Sequence, residues 1–181
     1  DLTELQRDAN KIFGYSAKET LNIMQKLYES HKVLTYPRTD SRYLSSDIVS
    51  TLPERLKACG VGEYRSLANK VLTKPIKANK SFVDDSKVSD HHAIIPTEEY
   101  VNFANFTDKE RKIYDLVVKR FLAVLFPAHE FEQLTVHAKI GNEKFIARGK
   151  TVITAGWKEV YSNRFDDDET NEDVKEQLLP R

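Results

Sequence analysis

Residues 107–148, TDKERKIYDLVVKRFLAVLFPAHEFEQLTVHAKIGNEKFIAR, decide the fold class of this chain. Up to Pro127 the apolar residues Ile113, Leu116, Val117, Phe121, Val124 and Leu125 recur at three- and four-residue spacing, one face of a helix. Thr107-Asp108-Lys109-Glu110 is a capping box that starts this helix, and Pro127, which has no N–H to give, stops it. Beyond Pro127 the period falls to two. Leu134, Val136, Ala138 and Ile140 alternate with polar residues, and Gly141-Asn142 offers a two-residue hairpin turn before Phe145 to Arg148. The strand pattern is expected to run on to Val152 and Ile153 and to resume around Trp157 to Tyr161. A helical period giving way to a strand period predicts an α+β chain. A ribbon this small cannot bury both of its faces, so it is expected to belong to a larger sheet.

Toward the N-terminus the same reasoning gives a mainly helical domain. Leu2, Leu5, Ala9, Ile12 and Phe13 share a helical face that ends at Gly14, and Ser16-Ala17-Lys18-Glu19 is a second capping box. Leu21, Met24 and Leu27 continue the helix that follows, to near Ser30. Val33, Leu34 and Thr35 are strand formers, and Pro37 forces Tyr36 into extended backbone. Two short helices, a Gly-containing turn and a strand predict a helix-turn-helix or winged-helix-like unit, on which the 107–125 helix should pack. A third helix, capped by Ser45 or Ser46, should cover Asp47 to Cys59, limited by Pro53 and ended by Gly60 and Gly62. Residues 77–97 lack periodicity and read as loop or short strand around His91-His92. The expected division is a helical domain at 1–126, strands at 127–161 and an acidic linker or continuation of the strand domain at 162–181.

The chain has 181 residues, 40% hydrophobic and 31% charged, enough for a real core in one domain or two small ones. No apolar run approaches the length of a membrane span, so no membrane partner is expected. Asp1-Leu2-Thr3-Glu4 lacks a Met, a basic region and an apolar region. It reads as the start of a segment excised from a cytoplasmic protein, nucleoid-associated if bacterial. Cys59 is alone, which rules out an internal disulfide framework and a multi-thiolate zinc site. Formal net charge is zero, yet residues 162–181 hold seven acids against three bases, leaving a mildly basic body. Arg65, Lys70, Lys74, Lys77 and Lys80 cluster without an acid among them. Such a cluster is a solvated face or a phosphate-facing patch, and charge alone does not choose.

For chemistry the sharpest string is Leu34-Thr35-Tyr36-Pro37-Arg38-Thr39-Asp40-Ser41-Arg42. Residues two apart on an extended chain point the same way, about 6.6 Å apart, so Tyr36 and Arg38 can address one phosphate. A guanidinium beside a phenol favours the phenolate and grips phosphate oxygens. The bland reading is a half-buried tyrosine beside a surface arginine. No Gly-rich phosphate loop, nucleophile elbow or zinc signature is present. A metal site is not expected, because adjacent His91 and His92 face opposite ways on extended chain and no third ligand is evident.

Five stretches in order make the chain similar to type IA DNA topoisomerases, the topoisomerase III branch above all. They are Leu34 to Ser41, Asp1 to Gln6, Gly14 to Lys18, Ser89 to Thr97, and Ala147-Arg148-Gly149 with Gly156-Trp157. The resemblance covers about residues 1 to 161. It implies that Tyr36 is the nucleophile that breaks one DNA strand, becoming linked to a 5′ phosphate without ATP, and that Arg38 clamps the scissile phosphate. It further implies that His91 contacts DNA phosphate, against a simple reading of the histidine pair as a loop anchor. Thr35, Asp40, Ser41, Arg42 and His92 are the remaining candidate DNA contacts, Asp40 either orienting Arg38 or turning the chain. Such enzymes also carry a Toprim domain whose acidic cluster binds Mg2+. No such cluster occurs here, so no cofactor is expected in this chain, and the isolated chain should be inactive. Expected partners are DNA, single-stranded segments preferred, and the remaining domains of a parent enzyme. No small-molecule substrate is expected, and the 127–161 strands would form part of the family's arch. A winged-helix-like DNA-binding module without covalent chemistry, or a structural scaffold with Tyr36 in its core, are the alternatives.

Overall fold

Asp1 starts the first helix by accepting the N–H of Glu4 on its carboxylate at 2.8 Å. Helix α1 (Leu2–Phe13) ends at Gly14, whose left-handed φ of 72° costs glycine little and a residue with a Cβ about 1 kcal/mol more. Ser16 then accepts the N–H of Glu19 at 3.1 Å and starts α2 (Ala17–Glu29). The Glu19 carboxylate does not close this box onto Ser16; it pairs with Lys109 at the head of the last helix. A computed structural model of the chain describes residues 1–162, which divide after Leu125 into two units, Asp1–Leu125 and one that begins at Phe126.

In the first unit a 3-10 turn (Ser46–Thr51) leads into α3 (Leu52–Cys59), with Pro53 in its first turn where a missing N–H is harmless. Gly60 ends α3 where a Cβ would stand 2.6 Å from the Leu56 carbonyl oxygen and 2.8 Å from Ala68 Cβ. That close approach seats α4 (Arg65–Leu72) against α3. Helix α5 (Asp108–Leu125) packs on α1, α2 and α4 and supplies the middle of the core: Ile113, Tyr114, Val118 and Leu122 are fully buried, as are Met24, Leu27, Leu52 and Leu56. Its capping box is complete. Thr107 Oγ1 accepts the Glu110 N–H at 3.2 Å and Glu110 Oε2 accepts the Thr107 N–H at 2.9 Å. Buried Glu110 also lies 3.2 Å from His31 Nε2, at the end of α2.

The strand expected at 33–35 is one antiparallel bridge, Leu34 opposite Pro96, flanked by Thr35 N–H to Ile95 O and Thr97 N–H to Val33 O, both at 3.0 Å. Pro96 occupies the non-hydrogen-bonded position of the pair, where its lack of an N–H costs nothing.

In the second unit β1 (Glu130–Ile140) pairs antiparallel with β2 (Glu143–Thr154). Gly141, at φ 63°, takes the first central position of the connecting turn, as a type II′ hairpin requires. Every residue of β1 is exposed, and the described residues add no third strand to the ribbon. Residues 157–161 are not strand but part of a 3-10 turn (Gly156–Tyr161). Gly156 at φ 55° reverses the chain there, and the Trp157 N–H closes onto Pro127 O at 3.0 Å. The architecture is therefore α+β. Beyond Ser162 the expected acidic linker lies outside the described residues. No helix among the described residues is long and apolar enough to cross a membrane.

Candidate active-site segment

Two long-range sets of bonds place the Tyr36 segment. Leaving α2, the chain reverses at Lys32, whose φ of 56° is left-handed, a conformation costing about 1–2 kcal/mol for a residue with a Cβ. Thr97 Oγ1 donates to the Lys32 carbonyl at 2.6 Å, and the Leu34–Pro96 bridge then fixes the next residues. Arg55, buried on α3, holds the opposite strand of that bridge: it donates to Pro96 O at 3.0 Å and pairs with Glu98 at 2.9 Å. Burial works against the charge on Arg55, lowering its pKa, and Glu98 opposes that.

From Pro37 to Arg42 burial alternates. Pro37, Thr39 and Ser41 are buried; Arg38, Asp40 and Arg42 are exposed. The Thr39 N–H donates to Pro37 O at 3.1 Å, a three-residue turn centred on Arg38 that pushes its side chain outward. So the spacing of Tyr36 and Arg38 is set by a turn as well as by strand alternation. Thr39 Oγ1 donates to the His91 carbonyl at 2.9 Å and accepts the Ser41 N–H at 3.1 Å. Through that oxygen the two motifs become one site.

Tyr36 is half-buried, and its ring lies 4.3 Å from the His91 ring and 5.5 Å, edge-on, from Tyr28. Its hydroxyl has no hydrogen-bond partner among the described residues and is not enclosed. Arg38 makes no ion pair among the described residues, and Asp40 contacts neither Arg38 nor any other polar partner there. Arg42 is engaged with α1, 2.8 Å from Asp1 Oδ2 and 3.1 Å from Glu4 Oε1. The hydroxyls of Thr35 and Ser41 are used inside the protein: Thr35 Oγ1 accepts the Ile95 N–H at 3.0 Å, and Ser41 Oγ donates to Lys87 O at 2.8 Å. His91 is exposed, while His92 sits half-buried with Nδ1 2.7 Å from Ala93 O.

Of the eight candidates, then, the structure brings the rings of Tyr36 and His91 together, leaves Arg38 exposed two residues along the chain, and turns Thr35 and Ser41 into supports. Sequence reasoning missed Tyr28, Thr39 and Arg55. Tyr28 follows Leu27 in the helical stripe and could have been found by its spacing; Arg55 and Thr39 act on partners 41 and 52 residues away, which no local pattern reveals. A surface hollow of about 620 Å³ between α2 and the head of α5 includes Lys18, Lys26 and Lys109 but no residue of the Tyr36 segment. Among the described residues no three His, Cys, Asp or Glu side chains converge as metal ligands would.

A sequence model of the family described as DNA topoisomerase matches residues 1–179. The chain is 86% identical over 181 residues to DNA topoisomerase 3 of Bacillus anthracis, covering all of this chain and 25% of that one. With DNA topoisomerase 3 of Bacillus subtilis (strain 168) it shares 59% identity over 180 residues, 99% of this chain and 25% of the relative. The chain thus spans about a quarter of the length of the curated relatives it matches. Among solved structures, full-length topoisomerase I from Thermotoga maritima superposes with a TM-score of 0.61 at 25% identity, over 89% of this chain and 26% of that one. With the family match running through both motifs of the Tyr36 surface, the chain belongs to the DNA topoisomerase family, as a type IA, topoisomerase III-like member.

Proposed function

We propose that this chain is the tyrosine-bearing part of an enzyme that cuts and rejoins one DNA strand, with Tyr36 as nucleophile. The observation that carries the reading is the Tyr36 ring between His91 and Tyr28 with its hydroxyl unengaged, while Arg38, two residues on, is exposed and without an ion pair among the described residues. In the cutting step the Tyr36 oxygen bonds to phosphorus and the bond from phosphorus to the 3′ oxygen breaks. The phenolic proton leaves Tyr36, and the departing oxygen takes up a proton to become a 3′ hydroxyl. One phosphate ester replaces another, so attack by that hydroxyl reseals the strand without ATP. Arg38 meets the charge that develops on the phosphate oxygens, and the exposed His91 adds a phosphate contact beside the ring. Thr35, Thr39 and Ser41 hold the backbone of the segment; Asp40, Arg42 and His92 line its edge.

Mg2+, in this reading, belongs to carboxylates of the parent enzyme outside this chain. Single-stranded DNA in the cytoplasm or nucleoid, and the other domains of the parent, are the partners. A DNA-binding module without covalent chemistry is not favoured by the family match.

The test uses the intact parental enzyme and an oligonucleotide labelled at its 3′ end. On a denaturing gel the label should move to the protein. Tyr36→Phe should abolish the transfer, and Arg38→Ala should reduce it by about 10²–10³ while leaving the nucleophile in place. Unchanged transfer by Tyr36→Phe would overturn the reading. The 181-residue chain alone should form no detectable adduct.

A further inference from the structure

Strand register sorts the ribbon into two unlike faces. Side chains alternate along each strand and cross-strand partners share a face, so the pairing of the two strands assigns them. On one face lie Lys139, Lys144, Arg148 and Lys150, with His137 among them and no acid. On the other lie Leu134, Val136, Ile140 and Phe145 with the acids Glu132 and Glu143 and no base. All four cations are exposed, and none has a carboxylate partner among the described residues.

Lys139 stands directly opposite Lys144, a like-charge pair that weakens a hairpin. Stability alone does not account for a face that gathers cations and keeps carboxylates on the reverse side. An anion that occupies it does. At about 3.3 Å per residue, Arg148 and Lys150 lie about 6.6 Å apart and Lys144 about 20 Å from Lys150, so the charges form a line and not a pocket. A line of flexible cations suits successive phosphates of a backbone read without regard to sequence.

Within this row the same face exposes Ile146 and His137, and just beyond Lys150 it exposes Phe131, whose ring centre lies 4.3 Å from the Lys150 ammonium. Apolar and ring surface alongside the cations matches unpaired bases lying beside their backbone; a duplex, with its bases stacked inside, would leave that surface unmatched.

We propose that this face of the ribbon binds single-stranded DNA through its phosphates, as a contact surface that shares no residue with the Tyr36 segment. The proposal rests on the reading that the chain works on DNA.

The test is fluorescence anisotropy of the 181-residue chain with a labelled 20-nucleotide oligo(dT) between 50 and 200 mM salt. Replacing all four cations by Gln should weaken binding at least tenfold at the low-salt end. It should also flatten the plot of log affinity against log salt by about 3, at about 0.7 for each cation removed. Replacing the three lysines by Arg keeps the charge and should leave affinity within twofold. An unchanged slope in the Gln variant overturns the proposal. So does loss of binding in the Arg variant, absence of binding by the parent chain at 50 mM salt, or equal dependence on the four cations for a 20-base-pair duplex. A failure of the Tyr36 reading would show in the transfer assay and leave this slope untouched, so the two ideas fall separately.

Discussion

The helical unit and the ribbon solve the same physical problem in opposite ways. In Asp1–Leu125 five helices close around Leu27, Leu56, Tyr114 and Leu122, and even the polar Thr39, Ser41 and Arg55 are buried with their bonds made internally. In the ribbon, Ile140 is 71% exposed and Ile146 57%, and what holds the strands is a ladder of backbone bonds with side chains open on both faces. Burial fixes geometry, and exposure leaves surface available for a partner. The Tyr36 segment belongs to the first kind, as the proposed role requires: a nucleophile and its clamp must be held in place before substrate arrives. The cationic row belongs to the second, because backbone phosphates need charge but little fixed geometry.

This contrast predicts where substitutions matter. Leu122→Ala, at the centre of α5, should cost the helical unit about 2–5 kcal/mol in urea unfolding, since nothing nearby can fill the cavity. Cys59 supplies an independent reading of the same event. It is buried, with burial pushing its thiol up to about 12, so it should resist a thiol reagent in the native chain and react faster in Leu122→Ala. Equal thiol reactivity in both would mean that this core is not closed.

Gly60→Ala comes next. Its new Cβ would press on the Leu56 carbonyl and Ala68, so α3 and α4 must part, and the expected loss is about 1–3 kcal/mol by the same urea titration.

Glu110→Gln should cost less, about 1 kcal/mol, and the cost should depend on pH. Burial opposes the Glu110 charge, but the Thr107 N–H and His31 outweigh it and hold the carboxyl below its usual value. A carboxyl lowered on folding stabilises the protein above its unfolded pKa, and the contribution fades as pH falls through the folded one. The gap between parent and variant should therefore be open while the carboxyl is ionised and close as pH falls through its titration; a gap that persists once the carboxyl is protonated would contradict the assignment.

Smallest of all should be Ile140→Ala on the ribbon, within about 0.5 kcal/mol by thermal unfolding, because so little of that side chain leaves water on folding. A loss as large as that of Leu122→Ala would erase the contrast between the two regions.

The elements legible in the sequence are those with local causes. Periodicity and capping residues mark α1, α2 and α5, and Gly141 marks the hairpin turn. Helix α4 escaped because Arg65, Lys70 and Lys74 drew a reading of charge, although Leu67, Ala68 and Val71 in the same stretch carry helical spacing. Trp157 to Tyr161 look like strand residue by residue; the left-handed Gly156 overrides them by reversing the chain. At the candidate site, Tyr36 and Arg38 stand out through the family motif; their spacing alone would not have singled them out. The supports Thr39 and Arg55 do not stand out, because each works on a carbonyl that only folding brings near.

The central claim is that the Tyr36 oxygen forms the bond to DNA. Its most direct measurement is mass spectrometry of proteolytic peptides from the intact enzyme trapped on a cleaved oligonucleotide. The account predicts that the peptide containing Leu34 to Arg38 carries a nucleotide joined through its 5′ phosphate, with fragmentation placing it on Tyr36. A nucleotide on Tyr28, Tyr43 or any other residue, with Tyr36 unmodified, would contradict it.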